Sequence, residues 1–448
     1  MRDLRTELEK RGFLYQFTNE ALFEKYGKGG EAFYLGIDPS ADSLQLGNLC
    51  AIMAAVQLMK YGNTCYFLIG GATGMIGDPS GKDAERNFLG EEQLKHNEQK
   101  ITEQVAGFLE RLKTEYGLNF EYHMVNNYDF YKDMSVLNFW AEVGKYITVN
   151  AMAAKESVKK RLVDEDKSIS YTEFSYMLIQ GYDFVKLCQD NNVALQLGGS
   201  DQWGNITTGI EIARKKLNKE IYGLTIPIIT DSTGKKFGKS EGNAIWLDPN
   251  KNSPYFVYQY FLNTNDEDVE KFLKILTLYT EEEIQEIVAK HNENMAERYG
   301  QKMLAKYIVA LIFGKDAVEQ SEKISAILFG KEDKMEIIAQ MSSEELDGLG
   351  REIGEVEFSM QKDPGVSDQG TSTNPGVNQG GEIGILALFT QAGLTSSNGE
   401  ARKMIKSGAL YCNEEKISDE QMKISDKNFV NGVVLLRKGK KNFRLVRG

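Results

Sequence analysis

The sequence predicts a doubly wound α/β domain with a parallel sheet, then an all-helical domain, then a small α+β module. Three observations carry that expectation. Over the first 247 residues, short runs rich in aromatic and branched residues (32–38, 64–69, 120–125, 194–197 and 224–229) alternate with long helical stretches, the pattern of repeated strand–helix–strand units. Beyond Asp248-Pro249 the chain turns to helix after helix, dense in Glu and Lys, as far as Leu349. Residues 361–381 hold no aromatic and only Val366 and Val377 as large aliphatics; such a stretch cannot bury enough surface to offset chain entropy and reads as a flexible linker.

Taken in order, residues 4–27 read as an amphipathic helical opening, Ala32 to Asp38 as the first buried strand, Gly47 to Tyr61 as a helix and Thr64 to Ile69 as the second strand. The remaining strands follow, each separated by a long helical stretch. In a sheet of this kind a ligand belongs at the carboxyl ends of the strands, where Tyr34, Asp38, Gly70, Gly71, Asn127 and Gly198 fall. The expected divisions are a sheet domain over 1–247, a helical domain over 248–360, the linker over 361–381 and a terminal module over 382–448. In that module Ile385, Leu386, Leu388 and Phe389 restart a helical pattern, and Gly432 to Phe443 reads as a basic β-hairpin.

With 448 residues, 41% apolar and 26% charged, the chain is long enough for two to four domains and has the make-up of a soluble globular protein. The opening, Met1 to Leu8, lacks a signal-peptide apolar run, and no stretch is apolar enough to span a bilayer, so the expected location is cytoplasmic. Cys50, Cys65, Cys188 and Cys412 lie far apart with no pair at metal-ligand spacing, which favours buried free thiols over disulfides or zinc. With only His96, His123 and His291 available, a histidine triad or histidine metal centre is not expected. The net charge of −12 argues against a generic nucleic-acid binder, yet residues 382–448 hold twelve bases against seven acids. An acidic body with a basic end fits a protein that meets a polyanion at selected places.

Five stretches carry chemistry. Tyr34-Leu35-Gly36-Ile37-Asp38-Pro39-Ser40 passes through a turn to Gln45-Leu46-Gly47-Asn48 and into a helix, so backbone N–H groups and a positive helix end face whatever sits there. Gly70 to Lys82 is a glycine-dense loop with neither familiar phosphate-loop spacing; its glycines let backbone approach a ligand, and Asp78 offers a carboxylate suited to an ammonium group. Tyr176, Gln180 and Asp183 recur at four and three residues, sharing one helix face. They suit a small polar ligand bound end-on, although hydrogen bonding between helices would also account for them. Gln196 to Asn205 places Gly198, Gly199, Asp201 and Gln202 at a strand end that opens into a helix. Asp201 there could accept ribose hydroxyls, or the group could cap the helix. Gly234 to Ser240 is a glycine-hinged loop whose Lys236 and Lys239 can swing onto an anion. Each stretch alone is a weak signal, and their co-occurrence suggests a nucleotide site.

In this order and at these spacings the stretches resemble the bacterial tyrosyl-tRNA synthetases, a class I aminoacyl-tRNA synthetase family, along essentially the whole chain. The matching motifs are Asp-Pro-Ser-Ala-Asp-Ser-Leu at 38–44, Gly-Gly-Ala-Thr-Gly at 70–74, Tyr-X3-Gln-X2-Asp at 176–183, Gly-Gly-Ser-Asp-Gln-Trp-Gly-Asn at 198–205 and Lys-Phe-Gly-Lys-Ser at 236–240. The resemblance implies a Rossmann-like catalytic domain, a helical anticodon-side domain and an S4-like RNA-binding end. It implies L-tyrosine, ATP with Mg²⁺ and tRNA-Tyr as what the protein acts on, and a homodimer joined through the 130–165 stretch, with no membrane partner.

For the site, the resemblance implies that Tyr34 and Asp183 hold the substrate phenol while Asp78, Tyr176 and Gln180 hold its ammonium group. Gln196 and Gln202 would lie near the carboxylate and adenylate. Gly36, Asp38, Gly47, Gly199, Asp201 and Lys239 would meet ATP, and Ser40, Gln45, Asn48, Lys82, Arg86, Lys236 and Lys239 would act on its phosphates, with no protein metal ligand. Clusters suited to RNA phosphates are Lys159-Lys160-Arg161 and Arg214-Lys215-Lys216, joined in the terminal module by Arg402, Lys403, Arg437, Lys438, Lys440 and Lys441.

One departure stands out. The family's first signature is usually His-X-Gly-His or His-X-Gly-Asn, and here Gln45 takes the first place. An amide also donates to phosphate oxygens, but from a different reach and without the option of a positive charge. Losing one such bond outright costs about 1–3 kcal/mol, roughly one to two powers of ten in rate. Two other classes fit parts of the sequence: a synthetase paralogue with lost or redirected activity, and a non-catalytic RNA-binding scaffold. Tyrosine-dependent ATP–pyrophosphate exchange without tRNA charging would mark the first, and neither activity the second.

Overall fold

In the computed structural model of the protein, the described residues are 3–80, 89–164, 168–240, 243–357 and 382–448. They fall into two compact units, Met1–Gly314 and Lys315–Gly448.

The first unit is built on a six-stranded sheet: β1 (Gln16–Phe17), β2 (Ala32–Ile37), β3 (Thr64–Ile69), β4 (Tyr122–Asn126), β5 (Val193–Gly199) and β6 (Tyr222–Ile226). The spatial order is β1-β6-β5-β2-β3-β4, with β2 to β6 parallel and β1 antiparallel on the edge. Chain order reverses between β2 and β5, which opens a crevice at their carboxyl ends. Phe33, Leu35, Phe67, Leu195 and Leu197 are buried in the sheet, as expected when helices cover both faces. Helices α1 (Leu46–Lys60), α2 (Gly71–Ile76), α3 (Glu91–Tyr116), α4 (Tyr171–Asn191) and α5 (Trp203–Leu217) supply those layers. Helices α4 and α5 cross where Gly181 meets Gly209; a Cβ on Gly181 would sit 2.9 Å from Ile212 Cδ1 and 3.4 Å from Gly209 Cα, so two glycines set how closely α4 approaches.

The single helical opening expected over 4–27 is two helices, Leu4–Arg11 and Ala21–Gly27, with β1 between them. Gly12, in the left-handed conformation at φ 79°, ends the first helix, and Gln16 then pairs with Thr225 of β6.

Helices Pro254–Leu262, Asp266–Leu276, Glu281–Glu293 and Tyr299–Phe313 belong to the same compact unit as the sheet. The stretch 248–360, expected as one helical domain, is therefore divided at 314. Two arginines from the sheet side explain this. Arg11 donates to the carbonyls of Lys274, Thr277 and Tyr279 at 2.8–3.0 Å, and Arg111 to those of Leu311 and Ile312. Both satisfy carbonyls at helix ends, which otherwise lack partners.

The second unit holds helices Lys315–Phe329, Lys334–Ala339 and Ser343–Ile353 and a five-stranded sheet. The expected basic hairpin is there as Val433–Lys438 paired with Asn442–Arg447. Its Val434, Leu436 and Val446 pack with Ile385, Leu388 and Phe389 in a separate core. Glu355–Glu357 adds an unexpected parallel edge strand beside Asn442–Arg447; a three-residue strand with one apolar side chain has no pattern of its own to read. Among the described residues no helix is long and apolar enough to cross a membrane. The linker expected over 361–381 lies outside the described residues.

Candidate active site

A cavity of about 470 Å³ sits at the point where the strand order reverses, within the size range of small-ligand sites. It is lined by Tyr34, Gly36, Asp38, Ser40, Gln45, Gly47, Asn48, Asp78, Tyr176, Gln180, Asp183, Gln196, Gly199, Asp201, Gln202 and Lys236. Lys82 and Arg86 lie outside the described residues, as does the side chain of Lys239.

The local folds explain why these side chains converge. Tyr34 of β2 and Gln196 of β5 are register partners, so they point to the same face of the sheet. On α4, Ser170 caps the start by accepting from Glu173 N at 3.2 Å. The helical spacing of Tyr176, Gln180 and Asp183 then puts all three on the cavity face. The start of α1 forms another wall: Asn48 Oδ1 accepts the Gln45 N–H at 2.9 Å, and Gln45, Gly47 and Asn48 line the cavity at the positive end of the helix. A Cβ at Gly36 or Gly47 would meet nothing within 4 Å; at both positions bare backbone faces open space.

The floor is a chain of hydrogen bonds. Asp183, 0% exposed, accepts from Asn127 Nδ2 at 2.9 Å and from Tyr131 Oη at 2.7 Å. Asn127 also donates to Thr73 Oγ1 at 3.0 Å, Thr73 donates to Asp38 Oδ1 at 2.7 Å, and Tyr176 Oη donates to Asp38 Oδ2 at 2.8 Å. Burial pushes the Asp183 carboxyl up to about 7, against the pull of the two donors and with a smaller push from the Asp38 charge. On the other side Gln202 Nε2 donates to Asp78 Oδ2 at 2.6 Å, and Asn205 Nδ2 reaches Asp78 Oδ1 at 3.4 Å and Ser80 Oγ at 3.2 Å.

Against this satisfied network, Tyr34 Oη, Gln180 Oε1 and Gln196 Oε1 are buried without a hydrogen-bond partner among the described residues. Each such atom costs about 1–3 kcal/mol, and all three belong to residues lining one cavity. Asp38, Asp78 and Asp183 line the same cavity, carboxylates that suit a ligand carrying an ammonium group and a hydroxyl. Tyr34 is held neutral, its phenol raised well above the ordinary range by burial and then by the Asp183 charge.

The lysine loop and the α1 start are tied by backbone. Leu46 N donates to Ile245 O and Leu247 N to Leu44 O, both at 2.9 Å, and Ile245 N donates to Gly238 O at 2.9 Å. Gly238 has φ 79°, and a Cβ there would lie 3.1 Å from Leu46 Cβ, so this position needs glycine twice over. The loop is also anchored from below: Asp268, buried on the helix Asp266–Leu276, accepts from Ser232 N at 3.0 Å and Ser232 Oγ at 2.8 Å.

Sequence reasoning missed Thr73, Tyr131 and Asn205 and used Asn127 only as a strand-end marker. Thr73 and Asn205 lie inside stretches already singled out. Tyr131 sits on the short helix Tyr128–Tyr131 and has no signal of its own.

Several expected RNA contacts are occupied. Arg161 makes a buried bidentate pair with Glu173, at 2.9 and 2.8 Å, so it is a structural cation and not a phosphate contact. Lys215 pairs with Glu211 at 2.7 Å, and Lys216 pairs with Glu142. In the terminal module Arg437 stacks 3.7 Å over Tyr411 and pairs with Glu414, Lys438 pairs with Glu400, and Arg402 pairs with Glu420. Lys159, Arg214, Lys403, Lys440 and Lys441 are exposed; the side chain of Lys160 is outside the description.

Comparison with known proteins places the geometry in a family. Residues 28–330 match the family described as tRNA synthetases class I (W and Y), and residues 368–446 match the tyrosine–tRNA ligase SYY-like C-terminal domain. A tyrosine–tRNA ligase of Streptococcus suis is 42% identical over 444 residues, 98% of each chain. Tyrosine–tRNA ligase 1 of Streptococcus thermophilus is 42% identical over 442 residues, again 98% of each. Among solved structures, a C-terminally truncated mitochondrial tyrosyl-tRNA synthetase of Aspergillus nidulans superposes with a TM-score of 0.67 at 28% identity, covering 73% of this chain and 95% of that one.

Proposed function

The chain belongs to the tyrosine–tRNA ligases of the class I tRNA synthetase family, and from that premise we propose how its cavity divides the work. The chain activates tyrosine with ATP and transfers the tyrosyl group to tRNA. The tyrosine carboxylate oxygen attacks the α-phosphorus of ATP, the bond to the bridging α–β oxygen breaks, and pyrophosphate leaves. A ribose hydroxyl at the tRNA 3′ end then attacks the acyl carbon of tyrosyl-adenylate, and AMP leaves.

Tyr34 Oη and Asp183 meet the substrate's ring hydroxyl, Asp78, Tyr176 and Gln180 hold its ammonium group, and Gln196 and Gln202 steer its carboxylate. The bare backbone at Gly36 and Gly47 accommodates the nucleotide, with Asp201 and Gly199 toward the ribose. Asp38, which accepts from both Tyr176 and Thr73, links the amino-acid and nucleotide halves. Ser40, Gln45, Asn48 and Lys236 reach the phosphates, joined by Lys82, Arg86 and Lys239. Rate comes from positioning and charge stabilisation, with no covalent enzyme intermediate. Mg²⁺ would be brought with ATP and would neutralise charge on its phosphates.

The observation that carries the tyrosine assignment is the buried Tyr34 Oη, without a hydrogen-bond partner among the described residues, in the same cavity as Asp183. Phenylalanine would leave that pair unmatched and should be rejected by a factor of order 10⁴–10⁵, a figure for which tyrosyl-tRNA synthetases are themselves the reference case and which is carried over, not worked out from these distances.

The protein acts as a homodimer in the cytoplasm. The dimer reading is supported by apolar side chains left exposed between residues 128 and 171, among them Leu137 at 81%, Val163 at 73% and Tyr171 at 68%, a crowding that marks interaction surfaces. The exposed Lys159, Arg214, Lys403, Lys440 and Lys441 are the groups offered to tRNA phosphates. The deciding experiment is tyrosine-dependent ATP–pyrophosphate exchange alongside charging of tRNA-Tyr. Both activities are expected, and absence of exchange with tyrosine would end this reading.

A further inference from the structure

We propose that Tyr131 is a positioning residue for substrate specificity: its hydroxyl keeps Asp183 presented as an acceptor, so that a ring hydroxyl is demanded of the substrate. The inference rests on the tyrosine reading of the cavity and deepens it.

Tyr131 Oη lies 2.7 Å from Asp183 Oδ1 and 2.7 Å from the carbonyl oxygen of Ile179. One hydrogen cannot fully serve two acceptors, so the hydroxyl has two settings. With Asp183 ionised, Tyr131 donates to the carboxylate. With Asp183 protonated, the acid can donate to Tyr131, whose own hydrogen turns to Ile179 O. The first setting contains a charge-assisted bond, roughly twice as strong as a neutral one, so the arrangement favours the carboxylate. Asn127 Nδ2 can only donate and reinforces the preference on Oδ2.

The preference matters because Asp183 is poised near neutrality. The ionisable groups that face it are Tyr131 from the short helix, Tyr34 and Asp38 from β2 and its following turn, and Tyr176 from its own helix. Burial keeps the three phenols neutral across the working range. Asp38 is thus the charged neighbour, and its charge opposes ionisation of Asp183. Burial alone would protonate Asp183 further, and the donors bring it back to about 7. Protonated, Asp183 would present a donor to the incoming phenol and would no longer require one. The signs follow: tyrosine binding is strongest above the Asp183 pKa and weakens as pH falls through it, and removing a donor raises that pKa.

The test is Tyr131→Phe, which keeps the ring packed against Phe139 and Tyr182, in the full-length protein. Exchange kinetics would be measured with tyrosine from about pH 5.5 to 8.5. The expected result is an inflection in kcat/KM for tyrosine moved upward by about one pH unit, hence about fivefold higher KM at pH 7, rising toward about tenfold at the acid end of the range. KM for ATP should be unchanged, and the penalty should shrink at the alkaline end. Tyr182→Phe, which removes a nearby phenol not bonded to Asp183, should leave the profile in place. A merely structural role would lower activity equally at every pH, and superimposable profiles for the two proteins would overturn the inference. Should Tyr131→Phe melt below the assay temperature, the unsubstituted protein decides: a profile flat between about pH 6 and 8 removes the poised acid that the proposal needs. If the unsubstituted protein shows no exchange with tyrosine at any pH, the functional reading fails instead.

Discussion

Tyr34→Phe should make the protein more stable and less active, and the two signs come from one atom. Tyr34 is fully buried and its Oη has no hydrogen-bond partner among the described residues. In the unfolded chain that hydroxyl is hydrated; in the folded chain no protein group among the described residues takes the water's place. An unsatisfied buried donor costs about 1–3 kcal/mol, so deleting the oxygen while keeping the ring, which packs edge-on 5.2 Å from Phe184, should raise the melting temperature by a few degrees, at roughly 2–4 °C per kcal/mol. With tyrosine bound, the same oxygen gains a neutral hydrogen bond worth about 0.5–1.5 kcal/mol. The variant should therefore lose about two- to tenfold in kcat/KM for tyrosine, while kcat/KM for phenylalanine stays nearly level because Tyr34 is unpartnered with that substrate as well. Differential scanning fluorimetry with and without tyrosine, beside exchange kinetics for both amino acids, reads every term. The ligand-induced rise in melting temperature should be smaller in the variant. A lower melting temperature for the free variant would show that the hydroxyl has a partner in the folded protein, and an unchanged tyrosine kcat/KM would show that it does not meet the substrate; either refutes the reasoning.

Gln45→Ala should lower kcat for exchange by about ten- to a hundredfold, the value of one phosphate hydrogen bond, whereas Gln45→His should equal or exceed the parent; equal rates for all three would remove Gln45 from the phosphates. Asp268→Ala releases Ser232 N and Oγ at the base of the lysine loop. It should cost about tenfold in kcat with KM for tyrosine essentially unmoved, and a loss confined to KM would contradict an anchoring role. Replacing Leu137 and Val163 together by glutamate should shift the protein to monomer in analytical ultracentrifugation. A dimer that survives the double substitution places the subunit contact elsewhere.

What could be read from the sequence, and what could not, divides along a physical line. Helix periods are local, so the convergence of Tyr176 with Gln180 and Asp183 follows from spacings of four and three along one helix, whereas Tyr34 and Gln196 meet only through the register of β2 against β5, which no local period gives. The turn glycines are equally legible, since Gly238 must both bend backward and pass close to Leu46. Tyr131 could not be found this way, because its tie to Asp183 spans 52 positions and its own short helix has no distinctive pattern. The edge strands at 16–17 and 355–357 exist only through a neighbour's unpaired backbone and were invisible for the same reason.

Charge was the least legible property. Arg161 and Arg437 read in sequence as members of basic clusters, yet each is spent on an acid more than ten residues away, Glu173 and Glu414. Arg161 in particular binds the third residue of the helix that carries Tyr176, Gln180 and Asp183. Removing it would strand a buried carboxylate, a change of several kcal/mol, so a fall in tRNA charging after Arg161→Ala would report on the tyrosine helix before it reported on RNA. Exchange without tRNA separates the two, because a pure phosphate contact leaves exchange intact and the buried pair does not.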